Sequence, residues 1–269
     1  MLYSIEKIEK IYDTSGSNPV EVHCNDFNNY ICKYDSTNKL LNEHLAHRFL
    51  QIWDIPVPPS SFVTVHNDHV PIGLHPRIQR HRFTRPLFGS KRLEYSLDFN
   101  DFFTTLRSTY QLSKINGRYE TFLKIALFDL WIANTDRNAN NMNLLLNSEG
   151  TQHVITAIDH TDIFDGCRLG GELAHMTYED SILYSTITKV LMPSSRKCRK
   201  ETKNILNHFY FWVQECGRQL PRIFHEVPQL WNLDHDTIIH YIQQSIIENQ
   251  RWNQEIETNF KQYVEMSIR

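Results

Sequence analysis

Asn134-Thr-Asp-Arg-Asn-Ala-Asn-Asn-Met-Asn-Leu-Leu-Leu146 is a polar loop set between two apolar runs. Upstream, residues 119–133 are apolar nearly all round (Phe122, Leu123, Ile125, Ala126, Leu127, Phe128, Leu130, Trp131 and Ile132). A helix with no polar face has to be buried. Downstream, residues 142–146 and 153–158 are short runs that predict two strands, and a hairpin between them brings the loop close to Asp159.

The residue types in this stretch point to phosphoryl transfer. That chemistry needs a carboxylate beside the attacking hydroxyl and oxygen ligands that hold Mg²⁺ on the phosphates. Asp136 suits the first role. Asn141, five residues on, offers a neutral side-chain oxygen to the metal, and Asp159 supplies a carboxylate directly after Val154-Ile-Thr-Ala-Ile158.

The first third of the chain reads as strands with one helix. Residues 20–24 and 30–34 are rich in β-formers, and the turn-rich Asn25-Asp-Phe-Asn-Asn29 between them predicts a hairpin. Lys33 lies in its second strand and is a point charge suited to phosphate. A helix is expected from a cap at Ser36 or Thr37 to Asp54, ended by Ile55-Pro-Val-Pro-Pro59. Glu43 on that helix can pair with Lys33; His44 and His47 read as helix-surface residues. Further strands are expected near 61–65 and 70–78, and Phe88-Gly-Ser-Lys-Arg92 as a connecting loop. Thr14-Ser-Gly-Ser-Asn-Pro19, before the first hairpin strand, is small and donor-rich, fit to cover phosphates through Ser15, Gly16 and Ser17. Past residue 80 the pattern turns helical, with helices expected over 98–111, over 119–133 and from Ser181 onward. The expectation is α+β, with a β-rich lobe over 1–80 and a mainly helical lobe over 81–269.

Composition narrows the function classes. The 269 residues are 41% hydrophobic and carry a formal charge of −3, which suggests neither a nucleic-acid surface nor an acidic tail. The basic cluster Arg196, Lys197, Arg199 and Lys200 reads as a solvated helix start. Five cysteines, at 24, 32, 167, 198 and 216, form no Cys-x-x-Cys pair and fit reduced thiols in a cytoplasmic protein. No apolar run is long enough to span a bilayer, and no basic amphipathic helix suggests membrane work.

In this order the motifs resemble the HipA-like kinases in their short form. Thr-Ser-Gly-Ser-Asn-Pro19 looks like the family's phosphate loop, Asn-Tyr-Ile-Cys-Lys33 like its lysine strand, and Leu40-Leu-Asn-Glu43 with Ile55-Pro-Val-Pro like its helix and exit turn. The stretch 134–146 looks like its catalytic loop and Ala157-Ile-Asp-His160 like its metal strand. The Asp…Asn…Asp logic is also similar to that of phosphatidylinositol kinases. The resemblance covers residues 12–165.

It implies a two-lobed kinase-like fold and an ATP- and Mg²⁺-dependent serine/threonine protein kinase. Asp136 is then the base, Asn141 and Asp159 the metal ligands, and Lys33 the nucleotide lysine. It further implies a toxin-like role on a translation component such as an aminoacyl-tRNA synthetase, an antitoxin partner, and phosphorylation of a serine in the phosphate loop. Two positions depart from the pattern: Asn138 stands where many members carry His, and Thr161 follows His160 where Gly is common. The competing readings are a nucleotide-binding pseudokinase or partner-binding module, and a lipid or small-molecule kinase; the intact Asp136, Asn141 and Asp159 weigh against the former.

Overall fold

The computed structural model describes residues 1–12, 18–70, 73, 78, 80–167 and 170–268. Its first sheet combines β1 (Leu2–Tyr3), β2 (Lys10–Ile11), β3 (Val20–His23), β4 (Asn29–Lys33), β5 (Ser60–Thr64) and β6 (Leu87–Lys91) in the order β1-β5-β6-β4-β3-β2. Its neighbours pair antiparallel, except the parallel β1–β5 edge. Alternation along β3 and β4 sends Val20, Val22, Tyr30 and Cys32 into a small core of their own. The opposite residues, Glu21, Ile31 and Lys33, face the other way.

Between β4 and β5 runs α1 (Thr37–Ile52). The second sheet holds β7 (Ser96–Asp98), β8 (Ile115–Asn116), β9 (Leu144–Glu149) and β10 (Gln152–Ala157) in the order β7-β9-β10-β8. Around it lie α2 (Phe99–Thr105), α3 (Thr109–Ser113), α4 (Arg118–Ile132), α5 (Ile163–Cys167), α6 (Thr186–Leu191), α7 (Ser195–His225), α8 (His235–Ile242) and α9 (Gln250–Ser267). The architecture is α+β, with a curled sheet first and helices after it.

Three tryptophans join the parts. Trp53, just past α1, stacks on Trp131 of α4 at 5.3 Å and on Trp212 of α7 at 5.1 Å. All three are buried, as is almost the whole of α4. Large flat rings bury much apolar area per residue, so this stack anchors α1 to the helical core.

The structure corrects several expectations. The single helix over 98–111 is two, because Ser108 starts afresh: its Oγ accepts from Tyr110 N at 3.1 Å and its own N donates to Gln111 Oε1 at 3.1 Å, a reciprocal cap. Phe88–Arg92 is not a connecting loop but mostly β6, inside the sheet between β5 and β4. The sheet therefore continues past residue 80, and the expected division there falls within it. Gly89, which reads as a loop residue, is needed for close packing, since a Cβ there would lie 2.9 Å from Val63 Cγ2. Asn67–His69 is a 3-10 turn, and most of the strand expected over 70–78 lies outside the described residues.

Glu43, His44 and His47 are not on a helix surface; each is 3–4% exposed. His47 Nε2 donates to Pro58 O at 2.8 Å while Nδ1 faces Ser60 Oγ at 3.2 Å. His44 Nε2 donates to Ile223 O at 3.2 Å and its ring packs on Phe62. Burial lowers both histidines from 6.5 to about 4. An unfolded chain takes up these protons at pH 6.5 while the folded one refuses them until pH 4. Stability is thus full above 6.5 and is lost as pH falls through that window, by about 3 kcal/mol per histidine. Thermal unfolding across this range should show a steep acid-side fall in Tm, and His47→Gln should flatten it. An unchanged slope in the variant would remove His47 from the account.

Candidate active site

The buried helix α4 ends at Ala133, whose φ of 50° turns the chain out of the helix in the left-handed region. The loop that follows is held at both ends. Thr135 N donates to Asp162 O at 3.3 Å, and Ile158 N donates to Asn143 O at 3.0 Å. Within it Asn138 takes the turn: its Oδ1 accepts from Asn140 N at 2.9 Å and Asn141 N at 3.3 Å. An asparagine is suited to this because its side chain mimics a backbone acceptor. The departure from histidine at 138 therefore leaves the turn closed.

Asp136 is partly buried at the centre of this loop. Its Oδ2 accepts from Asn141 Nδ2 at 3.0 Å and from Asn143 Nδ2 at 2.8 Å. Both described bonds fall on one oxygen, so the carboxylate is oriented while Oδ1 remains for a substrate proton. Asn143 was not singled out in the sequence. It holds φ at 47°, a region where asparagine is more tolerated than most residues.

The nucleotide-lysine candidate, Lys33, ends β4. Lys33 Nζ forms ion pairs with Glu43 Oε1 from α1 and with Asp159 Oδ1 from just past β10. Thr161 Oγ1 lies 2.7 Å from Lys33 Nζ, 2.7 Å from Glu43 Oε1 and 3.0 Å from Asp159 Oδ1. The second departure from the family pattern thus places a hydroxyl among all three charges. Burial opposes the charge on Lys33, but Glu43 and Asp159 outweigh it and hold its pKa above the ordinary value. Asp159 is also pushed up by burial, yet the adjacent ammonium wins and keeps it well below the usual carboxylate range. Glu43 goes the other way: burial raises it, and Asp159 adds to the rise.

Asp159 adopts φ 56°, which turns its carboxylate out of the strand line. Its described bonds are on Oδ1. Asn141 spends Nδ2 on Asp136, which leaves Oδ1 to face a cation. A carboxylate plus a neutral amide oxygen is a hard-oxygen donor set of the kind Mg²⁺ takes. Asp162 nearby is raised by burial, countered by Lys39 at 3.8 Å. Ser15, Gly16 and Ser17 lie outside the described residues.

Below the loop sits a buried ion pair. Arg137, fully buried, donates from Nη1 to Asp129 Oδ1 at 2.6 Å and from Nη2 to Ile158 O at 2.7 Å. Its Nη2 also lies 2.8 Å from His160 Nε2, and Asn134 Nδ2 donates to Asp129 Oδ1 at 2.9 Å. Burial pushes the Asp129 carboxyl up to about 6, and Arg137 and Asn134 counter that rise. Burial, with the Arg137 charge beside it, also keeps His160 neutral. One guanidinium thereby ties α4, the catalytic-loop candidate and the strand that delivers Asp159.

A family model described as HipA-like kinase matches residues 5–262. No curated protein matches the chain. Among solved structures it is similar to the proinflammatory kinase CtkA of Helicobacter pylori, at 14% identity over 99% of this chain and 98% of that one, with a TM-score of 0.43.

Removing one partner of a buried ion pair strands the other charge, at a cost of about 3–5 kcal/mol. Arg137→Met should lower unfolding stability by that amount in urea titrations. Arg137→Met with Asp129→Leu should recover much of it. A double variant no more stable than the single one would show that the pair itself is not the cause.

Proposed function

The chain belongs to the HipA-like kinase family, and we propose that it is an ATP- and Mg²⁺-dependent kinase that phosphorylates a serine or threonine of a protein. The observation that carries this reading is that Asp136, oriented by two asparagines, rides on a loop bonded to Asp162 O, one residue past the Thr161 that touches Lys33, Glu43 and Asp159.

In this reading Asp136 Oδ1 receives the proton of the acceptor hydroxyl as the hydroxyl oxygen bonds the γ-phosphorus of ATP and that phosphorus parts from the β-phosphate oxygen, releasing ADP; Asn141 and Asn143 keep the Asp136 carboxylate aimed. Lys33 neutralises phosphate charge and is itself kept charged and in place by Glu43. Asp159 and Asn141 would hold a Mg²⁺, which when bound would neutralise charge on the phosphates. The serine or threonine acceptor is part of the proposal, supported by the kinase family match. A toxin-like role on a translation component, such as an aminoacyl-tRNA synthetase, and an antitoxin partner are part of the same proposal. Among the described residues no helix is long and apolar enough to cross a membrane.

Asp136→Ala should reduce phosphotransfer by at least about 10²-fold, the scale of general-base catalysis, and should leave ATP binding in place. Radiolabelled ATP with a cell lysate measures the first; equal labelling by wild type and variant would rule the base assignment out. Asp159→Ala should abolish the thermal shift given by Mg·ATP, with Asn141→Ala weakening it less, because only the carboxylate carries charge.

The phosphate loop adds a further expectation. If the loop covers the nucleotide as the family resemblance implies, a phosphate on Ser15 or Ser17, adding roughly −1.5 to −2 charges, should repel the nucleotide phosphates. Wild-type protein incubated with Mg·ATP should gain mass on one of these serines, and Asp136→Ala should not. An unmodified loop in an enzyme active on another acceptor would end the self-regulation idea alone.

A further inference from the structure

Lys33 stands on one rung of the first sheet. It is in register with Phe88 of β6, and Phe88 in turn with Phe62 of β5. Directly paired residues share a face of a sheet, so one row runs Phe62, Phe88, Lys33. Helix α1 lies along that row. Its His44 ring packs on Phe62 at 4.9 Å, its His47 ring meets Phe88 edge-on at 6.1 Å, and its Glu43 pairs with Lys33. The Lys33–Glu43 pair is therefore one of three contacts between a strand row and a single helix turn. A shift of α1 along the sheet disturbs all three together.

One short segment holds both sides of this row. On the helix side, His44 Nε2 donates to Ile223 O near the end of α7 at 3.2 Å. One turn further along α1, Arg48 Nε donates to Glu226 Oε2 at 2.8 Å, and its Nη2 donates to the same oxygen. On the strand side, Trp231 Nε1 donates to Pro86 O, directly before β6, at 2.8 Å. The buried Trp231 ring also meets Phe62 edge-on at 5.2 Å, at the far end of the Lys33 row. Ile223 to Trp231 thus reaches from α1 to the strands that carry the lysine. The Arg48 and Glu226 side chains are 36% and 29% exposed. Such a pair adds little to global stability, so what it does for placement can be separated from folding.

We propose that Trp231 and Glu226 are positioning residues for the nucleotide lysine: residues 223–231 bracket β6 and α1 and so keep Lys33 and Glu43 opposite each other. They act through the strand row and the helix turn, not by touching the lysine. The bracket is carried by α7, whose Trp212 stacks on Trp53 just past α1, so the helix is fixed at both ends against the same neighbour. This rests on the kinase reading above, in which Lys33 meets phosphate.

The test uses the full chain with Trp231→Phe, which removes the indole N–H, and with Glu226→Arg, which turns attraction to Arg48 into repulsion and leaves the core intact. Timed acetylation by an N-hydroxysuccinimide ester, read by peptide mass spectrometry, reports the release of Lys33 without any activity. Lys33 should react at least about threefold faster in each variant, the scale of one net hydrogen bond or ion pair. Buried Lys124 on α4 is the internal reference and should keep its rate. Arg48→Glu with Glu226→Arg should return Lys33 to near its wild-type rate. Equal Lys33 rates in wild type and both single variants, or a parallel rise at Lys124, would overturn the bracket. Phosphotransfer from saturating Mg·ATP to lysate protein should fall at least about threefold in each single variant and recover in the charge-swapped one, because misplaced groups slow the chemical step. Faster Lys33 acetylation with unchanged phosphotransfer would overturn the positioning role. A wild type without phosphotransfer would defeat the kinase reading and the positioning role with it, and the acetylation arm would still decide the bracket.

Discussion

The Lys33 ammonium is the constraint on which the remainder of the site depends. It sits at the end of β4, and its partners come from α1 and from the chain just past β10. A lysine this buried must be paired or lose its charge. Satisfying it requires α1 to present Glu43 inward and the strand end to bring Asp159 up beneath the first sheet. Glu43 in turn accepts from His160 N at 3.1 Å, and Asn42 on the adjacent position of α1 donates to Thr161 O at 2.8 Å. The two sheets are thus coupled through one cation and the helix between them.

A second charge does the corresponding work below the loop. Arg137 follows Asp136 directly but points the opposite way, into the protein, where Asp129 and the Ile158 carbonyl receive it. The pairing costs desolvation on both sides, so its value lies in placement more than in net stability. It prevents the loop from sliding relative to the end of β10. The left-handed residues Ala133, Asn143 and Asp159 mark the points at which the chain bends around this pair. Each such non-glycine bend is mildly unfavourable, and their clustering here is what a site over-determined by its surroundings looks like.

The C-terminal helices finish the frame. α7 is amphipathic over its whole length and contributes Trp212 to the stack with Trp53 and Trp131, while α9 returns along it. Together with the π-turn Gln243–Ile247 they close the core around α4. The elements that look least informative for chemistry therefore fix the orientation of the helix from which the chemistry is launched.

The residues 134–146, with their apolar flank, were enough to indicate a polar loop on a buried helix, because side-chain type and spacing are local properties. The hairpin bearing Lys33 and the helix bearing Glu43 were readable for the same reason. The sequence did not reveal that His44 and His47 are buried, since a helix packed on two sides has no polar stripe to betray its orientation. It read β6 as a loop because Gly89 and the charges after it look turn-like, and only its neighbours Val63 and Cys32 explain the glycine. Asn143, Thr161 and the inward Arg137 stayed unassigned because their roles depend on partners up to 128 positions away. Sequence specifies which groups are present and which short segments they ride on. Which buried charge meets which partner is decided only when the sheets close on α1 and α4, because low-dielectric burial penalises every pairing but the one that satisfies all three charges of the Lys33 cluster.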